Sequence, residues 1–366
     1  MEGVASASEA RTAEDLTGRL FQAALGSFDL LHVYVGDRLG LYRTLADNGP
    51  ATSAELARRS GIDERYAREW LEQQAVTGIL DVVDGTTVST ERRFSLPPAY
   101  AETLLDEESL NFLSPVARAL VSVAQQMPAL LDAFRSGGGV PWEAYGDELW
   151  QAQGAINRPV FVKLLGHQYL PAIPDIHGRL SEPGVRVADV ACGVGWSSIA
   201  IATAYPAAKV DGFDLDERAI EFARQNAKRA GVADRVTFSS RDVVSDASLR
   251  GRYDLITVFE AIHDMSDPVR VLSATREMLA RKGTLLIMDE RVADTFTAPG
   301  GEVERFMYGF SLLVCLPTAM TERPSAATGT VMRADRLREY AKNAGYTSVK
   351  VLPIENDFFR FYQAIP

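Results

Sequence analysis

The chain has 366 residues, 46% of them apolar and 24% charged, with a formal net charge of −11. That length exceeds what one hydrophobic core usually organises, so two globular domains are expected. The acidic balance argues against binding nucleic acid or an anionic membrane surface, both of which select clustered Lys and Arg, and leaves small molecules or proteins as partners.

The two cysteines, Cys192 and Cys315, share no CxxC-type spacing. Neither a metal site nor a disulfide framework is expected, and a reducing cytoplasm is the default compartment. The amino terminus, MEGVASASEARTAED, is small, polar and acidic, with no basic segment leading into an apolar one. No run of about 18 apolar residues occurs, so neither export nor a membrane span is expected.

From about residue 15 the apolar positions Leu16, Leu20, Phe28, Leu31, Val35 and Leu39 fall close to a 3.6-residue repeat and predict a helix. The stretch TSAELARRSGIDERYAREWLEQQAVTGIL then reads as a Ser-capped helix, a turn at Gly61 and a second helix beginning near Asp63. LDVVDGTTVSTERRFSLP alternates like a short hairpin, completing the layout of a winged helix-turn-helix. On the second helix Asp63, Glu64, Glu69 and Glu72 outnumber Arg65 and Arg68, which would repel phosphates, so residues 1–104 are expected to pack or dimerise rather than read DNA.

Residues 105–180 read as a mostly helical connector, broken by RSGGGVPWEAYGDE. Three glycines and Pro141 predict a flexible loop, with Trp142 and Tyr145 either pinning it down or tipping a lid over a site. From residue 181 the pattern turns to strand-like runs, VRVADVAC, KVDGFDLD, RVTFSSRD, YDLITVFEAI and GTLLIMDE, with helical intervals at 196–206, 216–231 and 267–281. That alternation predicts a doubly wound, Rossmann-like α/β sheet of seven strands over residues 181–366, with SVKVLPIE and FFRFYQAI as an antiparallel pair at one edge.

In such a sheet a glycine turn after the first strand, with an acid at the end of the second, binds a nucleoside. Here the turn carries Gly193 and Gly195, and Asp214 follows 19 residues after Gly195. Three features favour S-adenosylmethionine over a dinucleotide. Ser198 stands where a third glycine would lie beneath a pyrophosphate, Asp189 inside the first strand suits a cationic ligand, and too few residues remain for a separate hydride-acceptor domain.

Through ADVACGVG, DGFDLD, SSRDV, YDLITVFEAIHDMSDP and KGTLLIMDE, residues 185–366 resemble a class I S-adenosylmethionine-dependent methyltransferase. With the winged helix in front, the whole chain is similar to dimeric small-molecule O-methyltransferases. The resemblance implies that Gly193 and Gly195 admit the methionine part, that Asp189 orients the loop and helps hold the amino group, and that Asp214 binds the ribose hydroxyls while Leu215 packs on the adenine. It further implies Asp242 and Val243 at the adenine edge, and Phe259 near the methionine moiety.

His263, alone among the four histidines, follows a sheet strand at its carboxyl end and is the expected general base for a phenolic hydroxyl. The family places an acid that orients this histidine where Asp289 and Glu290 stand, and the sequence leaves both open. The apolar insertion carrying Phe306, Met307, Tyr308, Phe310, Leu313 and Met320 is read as pocket lining for a hydrophobic acceptor, and Trp142 and Tyr145 are counted with the pocket. A homodimer is expected. Two alternatives stay open: a winged-helix regulator with a ligand-sensing domain, and an enzyme using the bound cofactor for non-methylating chemistry.

Overall fold

The computed structural model of the chain describes residues 11–84 and 86–366, so most of the polar amino-terminal stretch lies outside the described residues. Chain contacts separate two compact units, the first ending at Ala117 and the second beginning at Arg118.

The first unit is built from α1 (Ala13–Arg38), α2 (Leu41–Asn48), α3 (Ser53–Ser60), α4 (Glu64–Val76), the short strands β1 (Asp81–Val82) and β2 (Phe94–Ser95), and α5 (Pro98–Leu105). The cap of α3 is Thr52 and not Ser53: Thr52 Oγ1 accepts the Glu55 N–H while the Glu55 carboxylate accepts that of Thr52. Ser53, inside the first turn, instead donates to Glu64 at 2.5 Å. Gly61, at φ +67°, ends the helix, and Asp63 caps α4. The wing is narrower than the alternation suggested: among the described residues its two strands are Asp81–Val82 and Phe94–Ser95.

The core of this unit gathers Leu41, Tyr42, Leu45, Leu56, Trp70, Leu71 and Phe94. Helix α1 enters it at Gly36, where a Cβ would stand 2.5 Å from Tyr42 Cε2 and 2.6 Å from Trp70 Cζ2. Val33 joins this core and Leu30 and Tyr34 pack against it, but much of the helix's apolar stripe is uncovered in the single chain. Leu16, Leu20, Phe21, Leu25, Phe28, Leu31, Val35 and Leu39 are 37–63% exposed. On and around α4 the arginines are engaged by acids: Arg65 with Glu69, Arg68 with Glu64, Arg92 with Glu72 and Arg93 with Glu55.

The second unit carries a seven-stranded sheet in the order β5-β4-β3-β6-β7-β9-β8. Its strands are β3 (Arg186–Val190), β4 (Lys209–Asp214), β5 (Val236–Ser240), β6 (Tyr253–Phe259), β7 (Leu279–Glu290), β8 (Ser348–Val351) and β9 (Phe359–Ile365). The first five are parallel, whereas β9 inserts antiparallel between β7 and β8. The crossovers include α10 (Trp196–Ala204), α11 (Glu217–Arg229), α12 (Pro268–Met278) and α15 (Ala334–Asn343). Helix α12 stops at Met278, short of the expected 281, because Leu279 already pairs with Tyr253 and opens β7. The register then shifts before Leu255↔Thr284.

Alternate strand residues face opposite cores. Val187, Leu255, Leu286 and Met288 point into one, with α10, α11 and the helical segment 161–180; Ala188, Ile256, Leu285 and Ile287 point into the other, with α12 and α15. Ahead of the sheet run α6 (Ser114–Gln125), α7 (Met127–Ser136), α8 (Gly146–Val160), continued by a π-helical stretch Phe161–Tyr169, and α9 (Pro174–Leu180). After β7 come α13 (Glu302–Phe310), a π-helical stretch Ser311–Cys315 and α14 (Leu316–Ala319).

The glycine-rich segment before α8 is not the loose loop the sequence suggested. A Cβ on Gly139 would stand 2.3 Å from Pro317 O and 2.6 Å from Thr321 N, and Val140 N–H donates to Pro317 O at 3.1 Å. Gly139 serves close packing against the turn around α14, whereas Gly137, at φ +70°, ends α7. Among the described residues no helix is long and apolar enough to cross a membrane.

Candidate active site at the carboxyl ends of the parallel strands

Strands β3, β4 and β5 wind one way from β3, and β6 and β7 the other, so a crevice opens where β3 and β6 part. The turn leaving β3 is built for close approach. Ala191 (φ +56°), Gly193 (φ +52°) and Gly195 (φ +85°) are all left-handed, and Gly195 caps α10. A Cβ at Gly195 would meet Phe238 at 2.6 Å and Ala223 at 2.9 Å, so that glycine serves packing. At Gly193 a Cβ would meet nothing within 4 Å, so this glycine faces open space.

Two carboxylates hold the turn from opposite sides. Asp189, 1% exposed on β3, accepts from Ser197 at 2.5 Å and Ser198 at 2.6 Å through Oδ2, and from Thr257 at 2.7 Å through Oδ1. Burial pushes its carboxyl up, and the three hydroxyls oppose that. The Ser198 N–H adds a fourth bond, so the protein itself takes up about all the acceptor sites of Asp189, which fixes the turn. Asp214, half-buried at the end of β4, accepts the Gly193 N–H at 2.8 Å and the Asp216 N–H at 3.0 Å, one on each oxygen. The Leu215 N–H also bonds to this carboxylate, and a carboxylate has about four acceptor sites, so about one remains for a ligand hydroxyl.

The neighbouring residues sort by exposure. Leu215 is 74% exposed beside Asp214. Asp242 lies two residues past the end of β5, in the turn, where it accepts the Val244 N–H at 2.9 Å, and Val243 is buried in the core. Phe259 is buried against Phe161, ring centroids 5.8 Å apart, and forms the floor at the end of β6.

The third group surrounds His263, in the short turn after β6, 2% exposed. Its Nδ1 lies 2.8 Å from Asp289 Oδ1 and 3.1 Å from Glu290 Oε2, at the end of β7; its Nε2 lies 3.3 Å from Asp264 Oδ1. Asp289 and Glu290 thus both reach the imidazole, with Asp289 making the hydrogen bond. Burial alone would lower the imidazole pKa, but Asp289, Glu290 and Asp264 together hold it well above its ordinary value. Donor atoms of His263, Asp289 and Glu290, and of His263, Asp264 and Cys315, lie within 4.8 Å of one another, close enough for a divalent ion. Nδ1 and Asp289 Oδ1, 2.8 Å apart, share a hydrogen bond, so the same residues also form an imidazole–carboxylate network.

Glu260, overlooked in the sequence between two residues singled out there, completes the site. It leaves β6 at φ +51°, its N–H donates to Met288 O at 2.7 Å, and its Oε2 accepts from Gln153 at 3.3 Å and Asn157 at 3.1 Å, both on α8. An acid at the carboxyl end of a central strand was the available signal; the left-handed backbone and the partners on α8 were not readable.

Tyr145, 3% exposed, donates its hydroxyl to Leu313 O at 2.7 Å. Trp142 packs beside it at 6.4 Å between centroids. Met307 is buried on α13, whereas Tyr308 is 42% exposed. Tyr145 and Met307 are therefore buried in the single chain, and Trp142 and Tyr308 keep accessible surface.

Residues 181–342 match the family described as "Methyltransferase domain", and residues 27–105 the "Rv2258c-like winged HTH domain". One curated relative is the 27-O-demethylrifamycin SV methyltransferase of Amycolatopsis mediterranei, 31% identical over 29% of this chain and 39% of its own length. The curated relatives first matched are spanned over 27%, 39% and 56% of their lengths. Solved structures of similar fold include PigF with SAH, with a TM-score of 0.73 at 19% identity over 98% of this chain and 100% of that one. Human N-acetylserotonin methyltransferase in complex with SAM has a TM-score of 0.68 at 17% identity, over 97% and 99% of the two chains. At such identities the likeness is one of fold.

If Asp189 anchors the turn through three hydroxyls, Asp189→Ala leaves Ser197, Ser198 and Thr257 short of a buried acceptor. The cost is about 2–4 kcal/mol. Urea unfolding should show a lower midpoint at unchanged slope, and an unchanged midpoint would contradict the anchoring.

Proposed function

We propose, for a chain that carries a methyltransferase domain behind a winged helix-turn-helix domain, that it transfers a methyl group from S-adenosylmethionine to a hydroxyl of a hydrophobic small molecule. The observation that carries this reading is the pairing of Gly193 with Asp214: an amide held to a carboxylate that keeps an acceptor site, beside an open glycine. The donor set fits that cofactor. Asp214 offers an acceptor to a diol, Leu215 an exposed apolar face to a purine, and the crevice bears carboxylates, which suit a cation and repel a diphosphate. The bound cofactor supplies an electrophilic methyl on a positively charged sulfur; the protein positions the acceptor and manages its proton.

His263 is the residue proposed to take that proton, at Nε2. Its Nδ1 is clamped by Asp289 and Glu290, which fixes the ring and stabilises the imidazolium formed. A second reading rests on its 2% exposure and its ring of acids: an imidazole already holding its proton would orient the site without acting as base. Phe306, Tyr308 and Trp142, accessible and apolar, suit an aromatic acceptor.

The exposed stripe of α1 supports a homodimer, since a helix with that much apolar surface is stable when another copy covers it. The ion-paired arginines around α4 favour an assembly role for the winged helix over DNA binding, and two buried free thiols suit a cytoplasmic setting.

Three measurements test this reading. Asp214→Ala should weaken S-adenosylhomocysteine binding by about 2–4 kcal/mol in calorimetric titration, and undiminished affinity would displace the nucleoside from this crevice. His263→Ala should keep that affinity while turnover on an ordinary phenol falls about 100- to 10,000-fold. The acids hold the imidazole's proton beyond its usual range, so wild-type turnover should rise with pH above the ordinary imidazole value. The mutant's deficit should shrink as the phenol itself ionises near pH 10, and should be small on a nitrophenol; equal deficits on both acceptors favour the orienting role. Finally, Leu20→Glu with Phe28→Glu should convert a dimer to a monomer in light scattering, and a monomeric wild type would remove the basis of the assembly proposal.

A further inference from the structure

Glu260 has no part in the proton transfer just described, yet it is among the most constrained side chains at the site. A non-glycine residue at φ +51° is uncommon, and here the strand end is pinned by the Glu260 N–H to Met288 O. Two side-chain amides, Gln153 and Asn157, converge on Oε2 alone. Oε1 is buried and has no hydrogen-bond partner among the described residues. A carboxylate anchored through one oxygen with the other left over is arranged to receive a donor from outside the chain.

Helix α8 fixes where that oxygen is. One turn of the helix presents Gly154 to the glycine turn of β3, where a Cβ would stand 2.3 Å from Val194 Cγ2, and Arg158 lies over the Trp196 ring at 4.5 Å. Gln153 and Asn157, on the same stretch of helix, hold Glu260. The helix therefore spans from the turn that would carry the cofactor to the acid at the end of β6, across the gap between β3 and β6. Desolvation pushes the Glu260 carboxyl up to about 8, with Asn157 and His263 opposing and Asp289 and Asp264 adding to the rise. An ionised Glu260 is short of positive charge at this place.

We infer that Glu260 is the binding residue for the α-ammonium of the cofactor's amino-acid tail, taken by Oε1 as a charge-assisted hydrogen bond. This rests on the cofactor reading above and adds a residue to it. Asp189, whose oxygens are all engaged by Ser197, Ser198 and Thr257, cannot serve that purpose directly. The crevice thereby divides its labour: Asp214 toward the sugar, Glu260 toward the ammonium. A ligand carrying the nucleoside without the tail would not sense Glu260.

The test compares two neutral thioethers of adenosine. S-adenosylhomocysteine bears the aminobutyrate tail, so its ammonium is its cation, and 5′-methylthioadenosine lacks the tail. Glu260→Gln keeps a carbonyl for Gln153 and Asn157 and removes the charge; Glu260→Asp keeps the charge on a shorter stem. By calorimetric titration of the full chain, Glu260→Gln should weaken S-adenosylhomocysteine about 10- to 100-fold and leave 5′-methylthioadenosine within about 2-fold of wild type. Glu260→Asp should bind S-adenosylhomocysteine more tightly than Glu260→Gln does. Equal losses on both ligands would mark Glu260 as a structural support, and no loss on either would show that its oxygen meets nothing; each overturns the inference while sparing the cofactor reading. A wild type that binds neither thioether would overturn the cofactor reading and the inference with it.

Discussion

The buried carboxylate of Asp189 is the constraint on which the site depends. A charge placed 1% exposed in the middle of a parallel sheet is costly unless it is fully hydrogen-bonded, and Ser197, Ser198 and Thr257 supply those bonds. Two of the hydroxyls lie in the first turn of α10 and the third on β6, so one side chain ties a strand to the helix that follows it and to the neighbouring strand. The left-handed turn between β3 and α10 has little freedom left once both ends are held this way. Its glycines permit the path; Asp189 selects it.

Around this anchor the acids fall into two electrostatic environments. Asp214 receives backbone N–H groups and sits beside an exposed leucine, an environment made for hydrogen bonding. Across the gap, Asp264, Asp289 and Glu290 crowd around one imidazole, Glu260 feels its charge, and buried oxygens of all four lack a hydrogen-bond partner among the described residues. Such crowding is tolerable only if protons are shared or a cation is brought in. It gives that side of the crevice a strong preference for positive charge, which the proposed donor has and its demethylated product has less of. An environment that holds the charged donor better than the neutral thioether also helps the used cofactor to leave.

Much of this was legible in the residues. Alternation of apolar runs with helical intervals gave the parallel strands and their order of appearance, because each buried strand must be apolar on both faces. The glycine turn and Asp214 were readable from spacing, since only certain residues tolerate that path. Burial of side chains was not readable. Asp189 and Tyr145 look like ligand contacts in sequence, and both face inward because hydroxyls or carbonyls distant in the chain satisfy them. The glycines at 137–139 suggested mobility, but glycine also allows contact, and at Gly139 the turn near α14 occupies the space. Glu260 escaped notice because its significance lies in two amides about a hundred residues earlier, a relation that no local pattern carries.

The bond from Thr257 to Asp189 also has a temporal meaning. It closes a span of 68 residues, and between its ends lie two strands of the sheet edge and their helices. As the chain emerges from the ribosome, β3 and the turn are made long before β6 exists to cover them. Until then Asp189 has only the serines of α10 and must remain hydrated, so β3 cannot settle into its final dry surroundings. The full hydrogen-bond set of Asp189 is thus available only after residue 257 has been made, and a link of this sequence separation belongs to the non-local contacts that slow folding.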